Sequence, residues 1–236
     1  IWRNIVLPMY LNFQDQSFIH FPWNGNIPFL LKKSHKVLTI MYDVLPLEIP
    51  GYFQSLTARN KYIKEVQSTI EKTDLLLTIS EYSKRQLIAN FGTSVDPLVL
   101  SLGNTLPVVN QKHSQIQKNK VDYLYVGGYD KRKGLIKLID VFSNLKNKGL
   151  LAGKLILTGK INYFSEEFKK AVEKNINLGN IIEKGYVSDY ELSILYQNSK
   201  GLIYPSKYEG FGLPPLEAMN HGCPVLTTPY SSIPEV

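Results

Sequence analysis

Short β-branched runs alternate with longer amphipathic segments along almost the whole chain, and that alternation leaves few folds open. "FIHF" (18–21) and "KVLTIMYD" (36–43) read as buried strands. "TARNKYIKEVQSTIEK" (57–72) reads as a helix with Ile63, Val66 and Ile70 on one face. "DLLLTI" (74–79) is a strand, and "SEYSKRQLIANFG" (80–92) is a helix with Ser80 as N-cap and Gly92 as its stop. "PLVLSL" (97–102) closes this series as a further strand.

The alternation then restarts. "VDYLYVGG" (121–128) is a strand, and "GLIKLIDVFSNLKNKG" (134–149) is a helix with Ile136, Ile139 and Phe142 in register. "GKLILTG" and the polar helix "SEEFKKAVEKN" follow, then the short strand "NIIEKGYV". "SDYELSILYQNSKG" is a helix opened by Ser188 and Asp189, and "LIYPS" is a strand. "LPPLEAMNHG" is a helix with prolines in its first turn and Gly222 at its stop. "PVLTT" is a last strand, and "SSIPEV" begins another element. Strict β/α alternation implies parallel sheets with right-handed crossovers, here in two units. The polar stretch around 105–119 reads as a linker, giving one domain over 1–104 and a second over 120–236. The first domain reads as incomplete and the second as truncated.

Composition narrows the partners. No apolar run reaches the length of a membrane span. The net charge of +7 is spread, with 12 basic against 8 acidic residues in 1–118 and 15 against 12 in 119–236. Such a spread fits an anionic ligand or membrane surface, and no nucleic-acid-binding signature accompanies it. The basic surface and the aromatics Tyr52 and Phe53 point to a peripheral membrane contact. The single cysteine, Cys223, excludes an intrachain disulfide, fits a cytoplasmic protein, and reads as a buried small hydrophobe.

Ligands of open α/β sheets sit beyond the carboxyl ends of the strands. Three loops of the second unit lie there, "GGYDKRKG", "TGK" and "SKYEGFG", and they should converge on one crevice. Arg132 and Lys133 could clamp a diphosphate, or form a solvated basic turn. Gly127 and Gly128 allow close backbone approach, or simply a tight turn. Gly210 and Gly212 precede a helix whose N-terminus would be an anion site. Glu217 on that helix could accept the hydroxyls of a ribose diol, or only favour the helix dipole. Glu209 sits in the turn before it, as a functional carboxylate or an exposed loop acid. A glycosidase pair of Glu209 and Glu217 stays open on these grounds. His20 ends its strand where ligands bind, although a lone histidine is more often packed or solvated. His35 and His113 carry no signal, and His221 reads as a last-turn cation. There is no D-x-D pair and no spaced His/Cys cluster to hold a metal.

Taken together, these segments resemble the family 4 retaining glycosyltransferases of the two-Rossmann-domain GT-B fold. "PSKYEGFGLPPLEAMNHGCPVLTT" is similar to that family's E-x7-E signature, with Glu209 and Glu217 as its glutamates. "YLYVGGYDKRKGL", "TDLLLTISEYSKRQL" and "IIEKGYVSDYELSILYQNSKGLIYPS" resemble further family segments, in the expected order. "FIHFPW" stands where members carry a histidine near the donor sugar. Tyr42-Asp43 and Gly134 depart from the family's frequent His-Asp and Asn.

The resemblance implies transfer of a hexosyl group, with mannose as the weak lean, from a nucleotide diphosphate sugar to a glycan or lipid-linked acceptor in surface polysaccharide biosynthesis. It implies a donor site of Gly128, Arg132, Lys133, Val187, Glu209, Gly210, Phe211, Gly212, Leu213 and Glu217, with His20 near the anomeric centre. Arg132 and Lys133 would hold the diphosphate, Glu217 the ribose, Glu209 the sugar, and Val187 would lie by the base. It also implies that neither metal nor other cofactor is needed, and a place in the cytoplasm or at the inner face of the plasma membrane. A non-catalytic nucleotide-sugar-binding module and a nucleotide-sugar epimerase are the competing readings.

Overall fold

The computed structural model describes residues 6–13, 18–22, 24, 27, 31, 35–92, 96–104, 106–108, 120–163 and 165–236. The expected linker and His113 fall largely outside these residues. Contacts divide the chain into two compact units, Ile1–Leu102 with Glu235, and Gly103–Pro234 with Val236.

The first unit carries α1 (Leu7–Phe13), β1 (Phe18–Phe21), β2 (Lys36–Ile40), α2 (Leu56–Glu71), β3 (Leu75–Thr78), α3 (Glu81–Phe91) and β4 (Leu98–Val99). Its sheet is parallel, in the order β1-β2-β3-β4. Ser80 caps α3 through its hydroxyl, which accepts the Ser83 amide, and Gly92 ends the helix in the left-handed region. Both follow from the chemistry of short polar side chains and of a residue without Cβ. Val66 and Ile70 of α2 pack on Met41, Val44, Leu76 and Leu87, which form this unit's core. Helix α1 is not signalled by periodicity, because Met9, Tyr10 and Phe13 along it stay exposed.

The second unit carries β5 (Tyr123–Val126), α4 (Leu135–Asn147), β6 (Leu155–Thr158), α5 (Glu166–Asn177), β7 (Ile181–Gly185), α6 (Asp189–Asn198), β8 (Gly201–Tyr204), α7 (Leu213–Asn220) and β9 (Val225–Thr227). All strand pairs are parallel, in the order β7-β6-β5-β8-β9. Both faces of this sheet are covered, which is why its strands read as unbroken apolar runs. Tyr125, Leu155 and Leu157 face α4 and α5, where Leu135, Leu138, Ile139, Phe142, Phe168 and Val172 receive them. Leu124, Val126, Ile156 and Leu202 point the other way, onto Tyr196 of α6 and Ala218 of α7.

The stripe on α4 differs from the expected one. Ile136 is 41% exposed, and the buried positions are Leu135, Leu138, Ile139 and Phe142. Steps of three drift by about 60° around a helix of 3.6 residues per turn, whereas i, i+3, i+4, i+7 stays on one face. Ser188 and Glu191 form a reciprocal capping box at the start of α6.

The chain winds β5, β6, β7 outward to one edge, then returns through α6 to set β8 beside β5. That reversal opens a crevice between the carboxyl ends of β5 and β8. The loop after β6 supports it from the side. Gly159 has φ 124°, and a Cβ there would lie 2.3 Å from the Gly127 carbonyl oxygen. Gly149, at φ 69°, has open space around the same position. Gly159→Ala is therefore expected to cost roughly 3 kcal/mol against about 1 kcal/mol for Gly149→Ala, measured by chemical denaturation.

Candidate functional site

The loop after β5 is shaped to present two cations. Asp130 accepts the Arg132 amide at 2.9 Å, capping a 3-10 turn over Lys131–Lys133. Gly134 ends the turn at φ 70°, with its would-be Cβ 2.5 Å from the Pro205 carbonyl oxygen. The left-handed conformation and that close approach both require glycine, and an asparagine here would need the backbone to shift. The loop after β8 is laced to the turn. The Lys207 amide donates to the Arg132 carbonyl at 3.0 Å, and the Arg132 guanidinium donates to the Tyr208 carbonyl.

Glu209 closes the arrangement. Its Oε2 lies 3.0 Å from Arg132 Nη1 and its Oε1 lies 2.6 Å from Lys133 Nζ. The buried Tyr204 hydroxyl at the end of β8 donates to Oε1 at 2.7 Å and accepts from Lys133 Nζ at 2.7 Å. The backbone is held as well. The Glu209 amide donates to Ser231 Oγ at 2.9 Å, and Ser232 Oγ reaches the carbonyls of Glu209 and Phe211, both at 2.8 Å. At 8% exposure Glu209 is not a loop acid in solvent.

The charges respond to this enclosure. Burial pushes the Glu209 carboxyl up, but Lys133 and Arg132 outweigh that and hold it below the usual carboxylate range. Burial lowers Lys133, and the adjacent Arg132 adds to the effect beyond what Glu209 restores. For Arg132 burial works downward too, yet Glu209 raises it above its ordinary value. Arg132 Nε also lies 3.6 Å from Asp130 Oδ2, so two carboxylates meet the two cations of the cluster. The cations, with the Gly212 and Leu213 amides at the start of α7, are groups of the kind that bind a diphosphate.

The glycines differ in what they do. Gly127, at φ 144°, is demanded by its backbone. At Gly128 a Cβ would meet only the Lys160 carbonyl at an ordinary 3.7 Å, so the protein itself does not require glycine there. Gly212 is the N-cap of α7 at φ 121°, Leu213 is the first helical residue, and Gly210 and Phe211 are buried in the turn before it.

Glu217 belongs to a second network, not to the Arg132–Lys133 cluster. It is half-buried on α7, and its Oε2 accepts from Tyr196 on α6 at 3.0 Å. Burial raises its carboxyl above the usual range, partly offset by the Tyr196 bond. His221 stands at the C-cap of α7. It is buried, with Nδ1 2.7 Å from the Glu217 carbonyl and Nε2 3.3 Å from the Pro107 carbonyl. Cys223 is buried in the same apolar cluster. Val187 lies half-buried between β7 and α6. His20 is exposed on β1 in the first unit. Phe53 is half-buried, packed between Tyr52 and Tyr62, so only Tyr52 of that pair is exposed. Among the described residues no group of His, Cys, Asp or Glu gathers to hold a metal, and no helix is long and apolar enough to cross a membrane.

Sequence reasoning missed Tyr204, Tyr196, Asp130 and the Ser231–Ser232 pair. Asp130 carried a local signal, an Asx turn ahead of the cations. The serines, 22 residues from Glu209, carried none.

The charged cluster stands at the switch point of a parallel sheet, the place where open α/β sheets hold ligands. Residues 109–236 match the family model for glycosyl transferases group 1, and the chain belongs to that family. O-antigen chain mannosyltransferase B of Escherichia coli is 30% identical over 227 residues, covering 91% of this chain and 58% of that protein. Among solved structures, Anabaena HepE in complex with UDP and glucose aligns with TM-score 0.67 at 20% identity, over 85% of this chain and 55% of that one. A glycosyltransferase from Rickettsia africae aligns with TM-score 0.72 at 19% identity, over 99% and 63%. These structural likenesses establish the α/β fold with parallel sheets of the two-Rossmann-domain GT-B type. The chain spans between half and two thirds of the length of each of these relatives.

Replacing Glu209 by Gln strands two poorly solvated cations, and the expected loss is about 3 kcal/mol at neutral pH. Because the folded-state carboxyl titrates below its unfolded value, its stabilisation is complete above the unfolded pKa and is lost as pH falls through the folded one. Denaturant titrations should show that acid-sensitive component in the wild type and not in Glu209→Gln.

Proposed function

We propose that the chain is the donor-binding part, with a portion of the acceptor side, of a retaining hexosyltransferase. It takes a nucleotide diphosphate sugar, of the mannosyl kind, and passes the sugar to a glycan or lipid-linked acceptor in surface polysaccharide synthesis. The observation that carries this reading is the cluster of Arg132, Lys133 and Glu209 at the crevice between β5 and β8. The mannosyltransferase relative supports the sugar, and HepE, solved with UDP and glucose, supports the kind of donor.

In this reading the bond from the anomeric carbon to the diphosphate oxygen breaks, and the diphosphate leaves with the electron pair. Arg132, Lys133 and the amides of Gly212 and Leu213 stabilise the charge that develops, and preorganised stabilisation of this kind supplies most of the acceleration in such a step. The acceptor hydroxyl oxygen bonds to the anomeric carbon from the same face, and its proton passes to the departing phosphate oxygen. Glu209 acts through the two cations it holds, and His20 of the first unit is a candidate by family resemblance alone. Glu217 accepts ribose hydroxyls, Val187 borders the base, and Gly128, Gly210, Phe211, Gly212 and Leu213 let backbone meet phosphate. Side-chain cations meet the leaving-group charge, so no cofactor is assigned.

A lipid-linked acceptor places the enzyme at the cytoplasmic membrane face. Tyr52 and Leu56 are 55% and 78% exposed, beside the exposed cations Arg59, Lys61 and Lys64, which suits anionic lipid.

In the full-length protein, Arg132→Ala and Glu209→Ala should each lower kcat/KM for sugar transfer by at least about 100-fold. Turnover at the wild-type rate in either variant rejects the assignment. Sedimentation with anionic vesicles should weaken in a Tyr52→Ala/Leu56→Ala variant, and unchanged binding would remove the lipid contact.

A further inference from the structure

We propose that Tyr196 is a positioning residue for ribose recognition: it fixes the plane of the Glu217 carboxylate so that the remaining acceptor positions meet a vicinal diol. The inference rests on the reading of Glu217 as a ribose contact, and it names what makes that contact selective.

The Tyr196 hydroxyl donates a hydrogen bond to the Glu217 carboxylate, to Oε2 at 3.0 Å. An ionised carboxylate offers about four acceptor positions. Tyr196 takes one of them and leaves Oε1, with the second position on Oε2, for the two adjacent hydroxyls of a ribose.

Tyr196 is suited to the task because it cannot move. It is fully buried among Leu124, Leu202, Ala218 and Cys223. The His221 ring lies against it, with centroids 5.5 Å apart. His221 is in turn tied to the Glu217 carbonyl at 2.7 Å and the Pro107 carbonyl at 3.3 Å. The glutamate is thus held from both ends, its carbonyl by His221 and its carboxylate by Tyr196. An unheld glutamate would have to freeze its side chain on binding, at a cost in conformational entropy.

The phenol keeps its proton throughout the working range, because burial and the neighbouring carboxylate push its ionisation far up. Three groups act on the Glu217 carboxyl besides its burial: the Tyr196 bond and His221 favour its ionised form, and Asp189 at the start of α6 opposes it. Removing the Tyr196 hydroxyl therefore raises the carboxyl further.

The test measures binding of UDP, GDP, their 2′-deoxy forms and inorganic diphosphate to the full-length protein by calorimetry. The wild type should prefer the ribo form of its base over the 2′-deoxy form by about tenfold, the worth of one hydrogen bond to a charged acceptor. Tyr196→Phe should weaken the ribo form by about tenfold and leave the 2′-deoxy form and inorganic diphosphate within about twofold. An unchanged preference in Tyr196→Phe overturns the proposal, and so does an equal loss for all three ligands. If that variant does not fold, Glu217→Gln must erase the preference, and its survival overturns the proposal. A wild type that binds diphosphate without a ribose preference sinks this inference alone. A wild type that binds no diphosphate sinks the donor-site reading with it.

Discussion

The pairing of one buried carboxylate with two cations organises the second unit's functional end. Glu209 is on one loop, Arg132 and Lys133 on another, and the two loops are held together mainly through this ion cluster and the bonds that lace Lys207 and Tyr208 to Arg132. Burying such a group is costly unless every charge is met. Here Tyr204 supplies a further bond to the carboxylate, and Ser231 and Ser232 hold its backbone in place. Asp130, 3.6 Å from Arg132, is the second carboxylate of the arrangement. Stability and binding draw on the same atoms, so the site is rigid before any ligand arrives.

The architecture of both units was legible in the sequence because burial on both faces of a parallel sheet leaves apolar runs that polar helices separate. The caps at Ser80 and Ser188 and the stops at Gly92 and Gly222 were legible for an equally local reason. Local chemistry also placed Arg132, Lys133 and Glu209 at strand ends. What the sequence could not convey was their mutual distance. As separate residues, each had a bland alternative, and only the strand order β6-β5-β8 brings them within one hydrogen-bond length. For His221 the sequence showed its place beside a helix stop but not its burial against the Tyr196 ring.

The resemblance to group 1 glycosyltransferases and the geometry reinforce each other in an uneven way. Glu209 and Glu217, eight residues apart in one signature, do separate work: one joins a cluster of charges, the other a tyrosine and a histidine. A glycosidase-like pairing across a single bond has no support in that division, because Glu209 is already committed to two cations.

The strand reversal that sets β8 next to β5 has a consequence in time as well as in space. Lys133 and Glu209 are 76 residues apart, with β6, α5, β7 and α6 between them. The cluster cannot form until the outer strands are laid down and the chain has doubled back, and non-local closure of that kind is slow. During synthesis the cations emerge well before their carboxylate. The pairing is therefore completed late in assembling the unit, once β8 is in place.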